Sequence, residues 1–379
     1  MQTISLDDVP VLGALDRDVS PDGGITFRRL PDWTRPQLVD PAYMILSTMP
    51  AGVRLLFDTD SSALELDVML TVLQLGEEAP VPAAFDLVVS DELVDTQTSA
   101  EGTRIVVDMT NGSIDFRPGQ PTTIRFDAVA SGGEMRRVEV WLPHAAVCEL
   151  RAVRLDDGAA LRPSVSSGRR WVHYGSSISH CLEATQPTGA WPAVAARLAG
   201  VDLQSLAFAG QCMLDPFVAR TIRDVEADLI SLKVGINVVN GDTMRERTFL
   251  PAVHGFLDTI RDGHQTTPIL VVSPIFCPPA EDAPGPTGQT DGKATVYERS
   301  PEISVGALTL QRIRQLLREI VAARKDPNLH LLNGLELFGP DDVDDLPDLL
   351  HPNPAGYRRM GERFATLAFG PDGPFSAKP

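Results

Sequence analysis

Residues 171–179 read Trp-Val-His-Tyr-Gly-Ser-Ser-Ile-Ser, a strand-like apolar run followed at once by a glycine–serine turn. This stretch opens a region in which short apolar runs alternate with amphipathic helical patterns. Alternation of this length predicts a parallel sheet with helices on both faces. Functional groups in such folds lie at the carboxyl ends of the strands. A serine in this turn is therefore expected to lie exposed in a crevice at the edge of the sheet.

The later strands and helices of this region can be predicted from the same periodicities. Apolar runs at 203–208, 229–234 and 269–272 are the candidate later strands. Between and after them, two apolar stripes recur at the helical period. They consist of Phe249, Val253, Phe256, Leu257 and Ile260, and of Leu310, Ile313, Leu316, Leu317, Ile320 and Val321.

The far end of the chain carries a second candidate group, Asp348-Leu349-Leu350-His351. An aspartate three residues before a histidine can place both side chains on one side of a turn. The carboxylate can then hold one imidazole nitrogen while the other faces outward, as a general base requires. A solvated acidic loop is an equally open interpretation, because Asp341, Asp342, Asp344 and Asp345 crowd nearby.

Two further residues follow predicted strands. Gly210 comes after the run 203–208, and Asn237 comes three residues after the run 229–234. A glycine N–H and an asparagine amide can both point at an oxyanion that develops during a reaction. Either residue taken alone also suits a simple turn.

The order of these four features resembles the SGNH hydrolase superfamily of GDSL-like lipases and acylhydrolases, whose blocks contribute Ser, Gly, Asn and His. The first block normally reads Gly-Asp-Ser-(Leu/Ile), and the sequence at 175–178 is Gly-Ser-Ser-Ile, which keeps the nucleophile at Ser177. Ser176 and Ser179 are the lesser candidates. Val238 replaces the Asp of the usual Gly-x-Asn-Asp block, whereas the Asp-x-x-His block is matched in full. The resemblance covers roughly residues 170–370.

The resemblance implies a flavodoxin-like three-layer α/β/α hydrolase domain with a catalytic triad. Ser177 would attack an ester carbonyl, His351 would take its proton and later donate it to the leaving alcohol, and Asp348 would orient the imidazole. The N–H groups of Ser177 and Gly210 and the side-chain amide of Asn237 would form the oxyanion hole. The resemblance implies no metal and no organic cofactor.

The first 160 or so residues have a different pattern, typical of β structure. Alternation of apolar and polar residues at 64–68, 124–127 and 138–140 predicts strands with one wet face. Asn111-Gly112 and Pro118-Gly119 are turn signals. Long amphipathic helical patterns are absent here, so we expect an antiparallel, jelly-roll-like sandwich.

The sequence therefore predicts an all-β domain over 1–164 and a hydrolase domain over 165–379. A β-sandwich ahead of such a domain is similar to certain carbohydrate esterases, which remove acetyl groups from sugars. The join near 155–168 is too short for a flexible tether. We expect the first domain to pack on the second and to supply part of the pocket rim, with no triad member. An independent binding or oligomerisation module is the alternative.

Composition excludes several partners. The 379 residues are 43% hydrophobic and 22% charged, with a net charge of −18. Such a charge repels phosphate, so neither nucleic acid nor an anionic membrane is an expected partner. The chain contains no run of eighteen apolar residues, and its N-terminus lacks the pattern of a signal peptide. The four cysteines are scattered without a CxxC pair, which favours free thiols in the cytoplasm over disulfides or zinc.

A long loop and four further histidines are the remaining candidates for functional residues. Residues 277–304 are rich in proline and glycine, and a loop of this length is usually either functional or disordered. We expect it to border the active site and to help select the substrate. His173 is expected in the core and His180 at the site, whereas His254 and His264 are expected to be solvated.

The sequence supports three hypotheses about function. The first is an esterase that acts on an acylated sugar or another small polar ester. The second is an acyltransferase that uses the same triad, and the third is a catalytically silent carbohydrate-binding protein. The acyl group, the alcohol and the oligomeric state stay open.

Overall fold

The computed structural model describes residues 1–38, 40–108, 113–127, 129–130, 133–166 and 168–376. The chain divides into two compact units. The first, here called the β unit, comprises Met1–Ser167 and the short segment Thr185–Thr188. The second, the α/β unit, comprises Gly168–Ala184 and Gly189–Pro379.

The described residues of the β unit form strands β1 to β14 and one α-helix. The strands are Gln2–Ile4, Val11–Leu12, Asp16–Val19, Ile25–Arg28, Arg54–Thr59, Leu64–Leu75, Ala83–Val89, Glu92–Ser99, Thr103–Val107, Ile114–Arg117, Thr122–Phe126, Arg136–Trp141, Ala146–Leu155 and Leu161–Pro163. Helix α1 is Pro41–Thr48, and short 3-10 turns cover Leu6–Asp8 and Asp32–Gln37.

These strands form two sheets that share one core. One sheet has the order β10-β9-β6-β13-β4-β3, with β1 on β13 and β11 on β6; the other has the order β14-β5-β12-β7-β8, with β2 on β5. The alternation predicted at 64–68 is realised in β6, whose residues are alternately buried and half-buried along its whole length. Leu66 and Val68 of the first sheet join Phe85 and Leu87 of the second in one apolar cluster. Burial of that cluster is the main driving force for folding of the unit.

One pairing differs from the antiparallel arrangement that the sequence predicts. Strand β9 runs parallel to β6, with Thr103 opposite Thr71. The two intervening strands, β7 and β8, pair with each other in the other sheet. The chain therefore leaves the first sheet and returns to it in the same direction. The turn at Pro118-Gly119 lies between β10 and β11, and the one at Asn111-Gly112 lies outside the described residues.

The α/β unit contains strands β15 to β21 and helices α2 to α9 in its described part. The strands are Arg170–Gly175, Asp202–Ala207, Leu229–Lys233, Ile269–Val272, Thr287–Thr290, Lys293–Val296 and Leu329–Leu332. The helices are Ser177–His180, Trp191–Ala199, Pro216–Asp224, Ile236–Asn240, Glu246–Gly263, Leu310–Arg324, Gly334–Leu337 and Pro354–Phe364. A π-helical turn, Ala365–Phe369, follows α9.

Within residues 168–376, five strands form a parallel sheet in the order β16-β15-β17-β18-β21. In chain order this is 2-1-3-4-5, the flavodoxin-like order. The chain moves to one side of β15 with β16 and to the other side with β17. The carboxyl ends of β15 and β17 therefore border the switch point, where ligands bind in open α/β sheets.

The first predicted helical stripe is buried throughout, and the second is buried except for Val321, which is half-buried. Helix α6 buries all five members of the first stripe, and α7 buries Leu310, Ile313, Leu316, Leu317 and Ile320. An aromatic cluster on the sheet includes Trp171 stacked on Phe364 and tilted against Trp191. His173 lies in this buried cluster, edge-on to Trp191 and bonded through Nδ1 to Ser231 Oγ at 2.7 Å.

The prediction that His264 is solvated is wrong. His264 directly follows Gly263, the last residue of α6, and its ring is buried, with Nε2 2.8 Å from the carbonyl oxygen of Ile222 in α4. The imidazole thus satisfies a carbonyl of a neighbouring helix instead of contacting water.

No helix in the described part of the chain combines the length and apolar character needed to cross a bilayer. The four cysteines, all among the described residues, are buried and free.

Candidate active site

The nucleophile candidate is positioned by the end of β15. The strand ends at Gly175, and Ser176 precedes the first residue of the short helix α2, which is Ser177. Position 175 requires glycine because a Cβ there would collide with the Ser179 hydroxyl. Ser176 and Ser179 are 0% and 2% exposed, whereas Ser177 is half-exposed. Of the three serines considered, Ser177 is therefore the one that is not fully buried, which makes it the candidate nucleophile.

The structure brings Ser177, His351 and Asp348 together across 174 residues of sequence. His351 Nε2 lies 2.9 Å from Ser177 Oγ, and its Nδ1 lies 2.7 Å from Asp348 Oδ2. The other carboxylate oxygen, Oδ1, accepts bonds from the N–H groups of Leu350 and His351 at 2.9 and 2.6 Å. The Asp-x-x-His spacing thus closes a turn in which the carboxylate fixes both the backbone and the ring.

This network assigns the imidazole tautomer. The bonds that Asp348 accepts keep its pKa below the ordinary value of 3.8, although burial alone would raise it. An ionised carboxylate only accepts hydrogen bonds, so His351 Nδ1 carries a proton and donates it to Asp348. In the neutral ring Nε2 is then an acceptor and faces the Ser177 hydroxyl. A general base in contact with a serine needs this tautomer.

The basicity of His351 is also set by its neighbours. Burial lowers its pKa, but the hydrogen bond to Asp348 and the charges of Glu183 and Asp348 outweigh burial. The pKa of His351 is therefore raised above its ordinary value of 6.5. A raised pKa makes the ring a stronger proton acceptor once the pH is high enough to leave it neutral.

The loop 277–304 contacts the Asp348 turn directly. The Ala294 N–H of strand β20 donates to the Asp348 carbonyl at 2.7 Å, and the Cys277 thiol lies 3.3 Å from the Leu349 carbonyl oxygen. The Ala294 contact is a backbone bond. Within this loop, β19 pairs with β20 as a β-hairpin.

A buried ion pair fixes the start of the same loop. Arg314 of α7 makes two hydrogen bonds to the Glu281 carboxylate, at 2.7 and 2.8 Å. The same guanidinium donates to the carbonyls of Pro274 and Ile275, at 2.9 and 2.8 Å. Glu281 in turn accepts from the Cys277 N–H at 3.0 Å. Helix α7 is thereby bonded to the start of the loop 277–304, which contacts the Asp348 turn.

Gly210 lies in the turn that follows β16, the neighbour of β15. The Phe208 N–H donates to the Gly175 carbonyl at 3.0 Å, which ties this turn to the end of the nucleophile strand. Gly210 is exposed, and its φ of +72° is a backbone conformation that favours glycine.

Asn237 lies near the start of α5, just after the end of β17. Its side chain is buried, and Oδ1 accepts from the Cys212 N–H at 3.0 Å. That bond fixes the orientation of the amide, so Nδ2 is the group left to donate elsewhere. The bond also joins the turn of Gly210 to the turn of Asn237.

His180, at the end of α2, is buried.

Sequence reasoning missed two residues next to His351. Glu183 Oε1 lies 3.6 Å from His351 Nδ1, and the Tyr357 hydroxyl of α9 donates to Glu183 Oε2 at 2.7 Å. Glu183 lies close to Ser177 in sequence, and this closeness is the signal that could have pointed to its charge. Tyr357 is 174 residues from Glu183, and no spacing could have paired them.

Among the described residues, no group of three or more His, Cys, Asp or Glu side chains is arranged so that it could hold a metal ion.

A flavodoxin-like sheet with Ser, His and Asp at its carboxyl edge is the architecture of an SGNH-like hydrolase. Residues 173–359 match the GDSL-like Lipase/Acylhydrolase family. No curated protein matches the chain significantly.

Solved structures resemble the chain over almost its full length. A salicylyl-acyltransferase, SsfX3, from a tetracycline biosynthetic pathway is 28% identical, with a TM-score of 0.78, and the match covers 96% of this chain and 95% of that one. A family two carbohydrate esterase from Cellvibrio japonicus is 12% identical, with a TM-score of 0.57 and the same coverages of 96% and 95%. An acetyl xylan esterase from Butyrivibrio proteoclasticus is 10% identical, with a TM-score of 0.54 and coverages of 96% and 97%. The two esterases show likeness of fold alone.

Proposed function

We propose that the protein is a serine esterase that hydrolyses a carboxylic ester of a sugar or another small polar molecule. One observation carries the proposal: the continuous chain of contacts from the accessible Ser177 hydroxyl through the His351 ring to the Asp348 carboxylate, at 2.9 and 2.7 Å. A silent binding protein has no need of an accessible serine held against a correctly oriented base.

Acylation follows from the tautomer. Ser177 Oγ attacks the ester carbonyl carbon while its proton passes to His351 Nε2. The imidazolium that forms is stabilised by the charge of Asp348. The tetrahedral intermediate collapses when His351 returns this proton to the leaving alcohol, which leaves the acyl group on Ser177.

Deacylation repeats the sequence with water. His351 Nε2 takes a proton from the water that attacks the acyl carbonyl, and then returns it to Ser177 Oγ as the acid is released. In both steps the oxyanion would be bound by the Ser177 and Gly210 N–H groups and by the Asn237 amide. Donors of this kind are typically worth on the order of 100- to 1,000-fold in kcat each.

An acyltransferase is the second candidate, and the likeness to a salicylyl-acyltransferase favours it. The acyl-enzyme is the same in both reactions, so the triad does not separate them. The difference is the group that attacks Ser177's acyl carbonyl, an acceptor alcohol instead of water. The proposal of hydrolysis rests on the family, and the carbohydrate esterases of similar fold suggest the sugar.

The loop 277–304 is proposed to help select the substrate, because it contacts the Asp348 turn through Ala294 and Cys277.

A generic assay tests the proposed function. The rate of p-nitrophenyl acetate hydrolysis is measured with the wild-type protein and with Ser177→Ala. Acetylated sugars are then compared as substrates. Release of acid that depends on Ser177 supports the esterase. Addition of an acceptor alcohol distinguishes the second candidate, since a new ester formed faster than free acid indicates acyl transfer. Equal rates for the two proteins would contradict both.

A further inference from the structure

His351 faces a second carboxylate besides that of Asp348. Glu183 Oε1 lies 3.6 Å from the same ring nitrogen, Nδ1, whose proton is donated to Asp348 Oδ2 at 2.7 Å. At 3.6 Å the Glu183 contact is too long for a good hydrogen bond, so its effect on the ring is that of a nearby charge. The two carboxylates come from different segments, one from the turn that carries His351 and the other from the chain just after α2.

Glu183 is itself held in place by a buried phenol. Tyr357 is 0% exposed, and its hydroxyl donates to Glu183 Oε2 at 2.7 Å. Burial, with the charge of Glu183 next, raises the pKa of Tyr357 well above its ordinary value, so the phenol stays a donor at any working pH. The bond to Oε2 directs the other oxygen, Oε1, toward His351. A side chain that is 39% exposed would otherwise be free to turn to solvent.

We propose that Glu183 is a positioning residue that stabilises the protonated form of His351, with Tyr357 as the group that orients it. The inference rests on the proposed function, because a charge beside the ring matters to catalysis only if His351 is the base. The charged groups that face the ring are then Asp348 and Glu183, with the neutral Tyr357 phenol behind Glu183.

The physical consequence is a base of greater strength. When His351 takes the Ser177 proton, the new positive charge lies between two carboxylates instead of one. An opposite charge within about 4–6 Å raises the pKa of an imidazole, and exposure to solvent weakens the effect. For a half-exposed Glu183 the expected contribution is therefore roughly 0.5 to 1 pH unit.

The test measures the His351 titration in the resting protein by NMR of the imidazole C–H signals, with His351→Gln to assign the resonance. Glu183→Gln keeps the shape and the acceptor for Tyr357 but removes the charge. We expect its His351 pKa to be lower by roughly 0.5 to 1 unit, and the acid limb of kcat/KM to move by the same amount. Glu183→Asp keeps the charge and should retain most of the raised pKa.

Two further variants keep the outcome interpretable. Tyr357→Phe frees Glu183 without removing its charge, and we expect a smaller fall in the His351 pKa than in Glu183→Gln. Glu319→Gln removes one charge from α7 and should leave the His351 pKa unchanged. An unchanged His351 pKa in Glu183→Gln would overturn the inference. Because the titration needs no substrate, this result is distinct from a failure of the esterase assay, which would overturn the proposed function instead.

Discussion

At the scale of the residue, the proposed nucleophile is distinguished from its neighbouring serines by its solvent exposure. Ser177 is half-exposed and contacts His351, whereas the hydroxyls of Ser176 and Ser179 are buried. We expect Ser177→Ala to lower kcat by on the order of a million-fold while the fold is kept, since triad nucleophiles act as a unit with their base. Ester hydrolysis and circular dichroism check the two parts of this expectation.

Ser176→Ala is the matched control for Ser177→Ala. It removes a hydroxyl one residue away without touching the contact to His351, and it should retain most of the activity. The opposite result, with activity lost in Ser176→Ala and kept in Ser177→Ala, would place the nucleophile one residue earlier.

The pH dependence follows from the raised pKa of His351. Only the neutral ring can accept the Ser177 proton, so activity is lost as the pH falls through the pKa of this histidine. Because that pKa is raised above 6.5, the acid limb of kcat/KM should have its midpoint above pH 6.5. A profile that stays flat from about pH 5 to pH 8 would argue against His351 as the base.

The residues of the site were predictable to different degrees. The contact between Ser177 and His351 could be predicted because each residue belongs to a short pattern whose order along the chain is itself informative. Glu183 and Tyr357 could not, because their effect depends on a contact across 174 residues that leaves no local pattern. His264 shows the converse error, since its place after an amphipathic helix favoured solvent while a carbonyl of α4 binds the ring.

At the scale of the element, helix α7 fixes the loop 277–304 through the buried pair of Arg314 and Glu281. Removal of one partner leaves the other charge buried and unpaired, which typically costs about 3–5 kcal/mol. We therefore expect Arg314→Met to lower the free energy of unfolding by about that amount. Activity should fall as well, since Glu281 also binds the Cys277 N–H at the start of the loop.

Arg312→Met provides the control for Arg314→Met on the same helix. Arg312 pairs with Glu246, but both side chains are about a third exposed, so the loss should be about 1 kcal/mol or less. Denaturant unfolding of the two variants measures the difference. Equal stabilities would mean that the buried pair does not hold the loop.

The elements of the α/β unit were easier to predict than those of the β unit. Strands β15 to β18 are short apolar runs, buried because helices cover both faces of the sheet. In the β unit, the alternation of apolar and polar residues predicted β6, β11 and β12 as strands. It carries no information on whether a pair of strands is parallel or antiparallel. The parallel pairing of β9 with β6 therefore could not be predicted from the sequence.

At the scale of the whole molecule, the β unit is discontinuous in sequence, because it also includes the later segment Thr185–Thr188. Thr188 belongs to the β unit, where the buried Asp86 carboxylate accepts its N–H at 2.8 Å and its hydroxyl at 2.6 Å. A fragment over 165–379 keeps Thr188 but lacks Asp86. We expect this fragment to give much less soluble protein than the full chain, measured by yield and by light scattering. A soluble and fully active fragment would make the β unit an independent module.

The position of His351 between carboxylates also links the stability of the fold to protons. The folded state holds the His351 proton more tightly than the unfolded chain, in which the histidine pKa is 6.5. The stabilisation of the fold by this proton is therefore complete below pH 6.5 and disappears as the pH rises through the higher pKa of the folded state. Asp348, whose pKa is lowered, contributes above pH 3.8 and loses its contribution as the pH falls through its own folded value.

Between these limits both contributions are present, whereas the proposed base is protonated, so catalysis should be suppressed. At mildly acidic pH the protein should therefore be inactive and, at the same time, more resistant to heat. Its activity should return on neutralisation. The melting temperature of the wild-type protein minus that of His351→Ala should be larger at pH 5.5 than at pH 8.5, values chosen roughly one to two units either side of the ordinary histidine pKa. A difference that does not change with pH would show that this proton has no part in the stability of the fold.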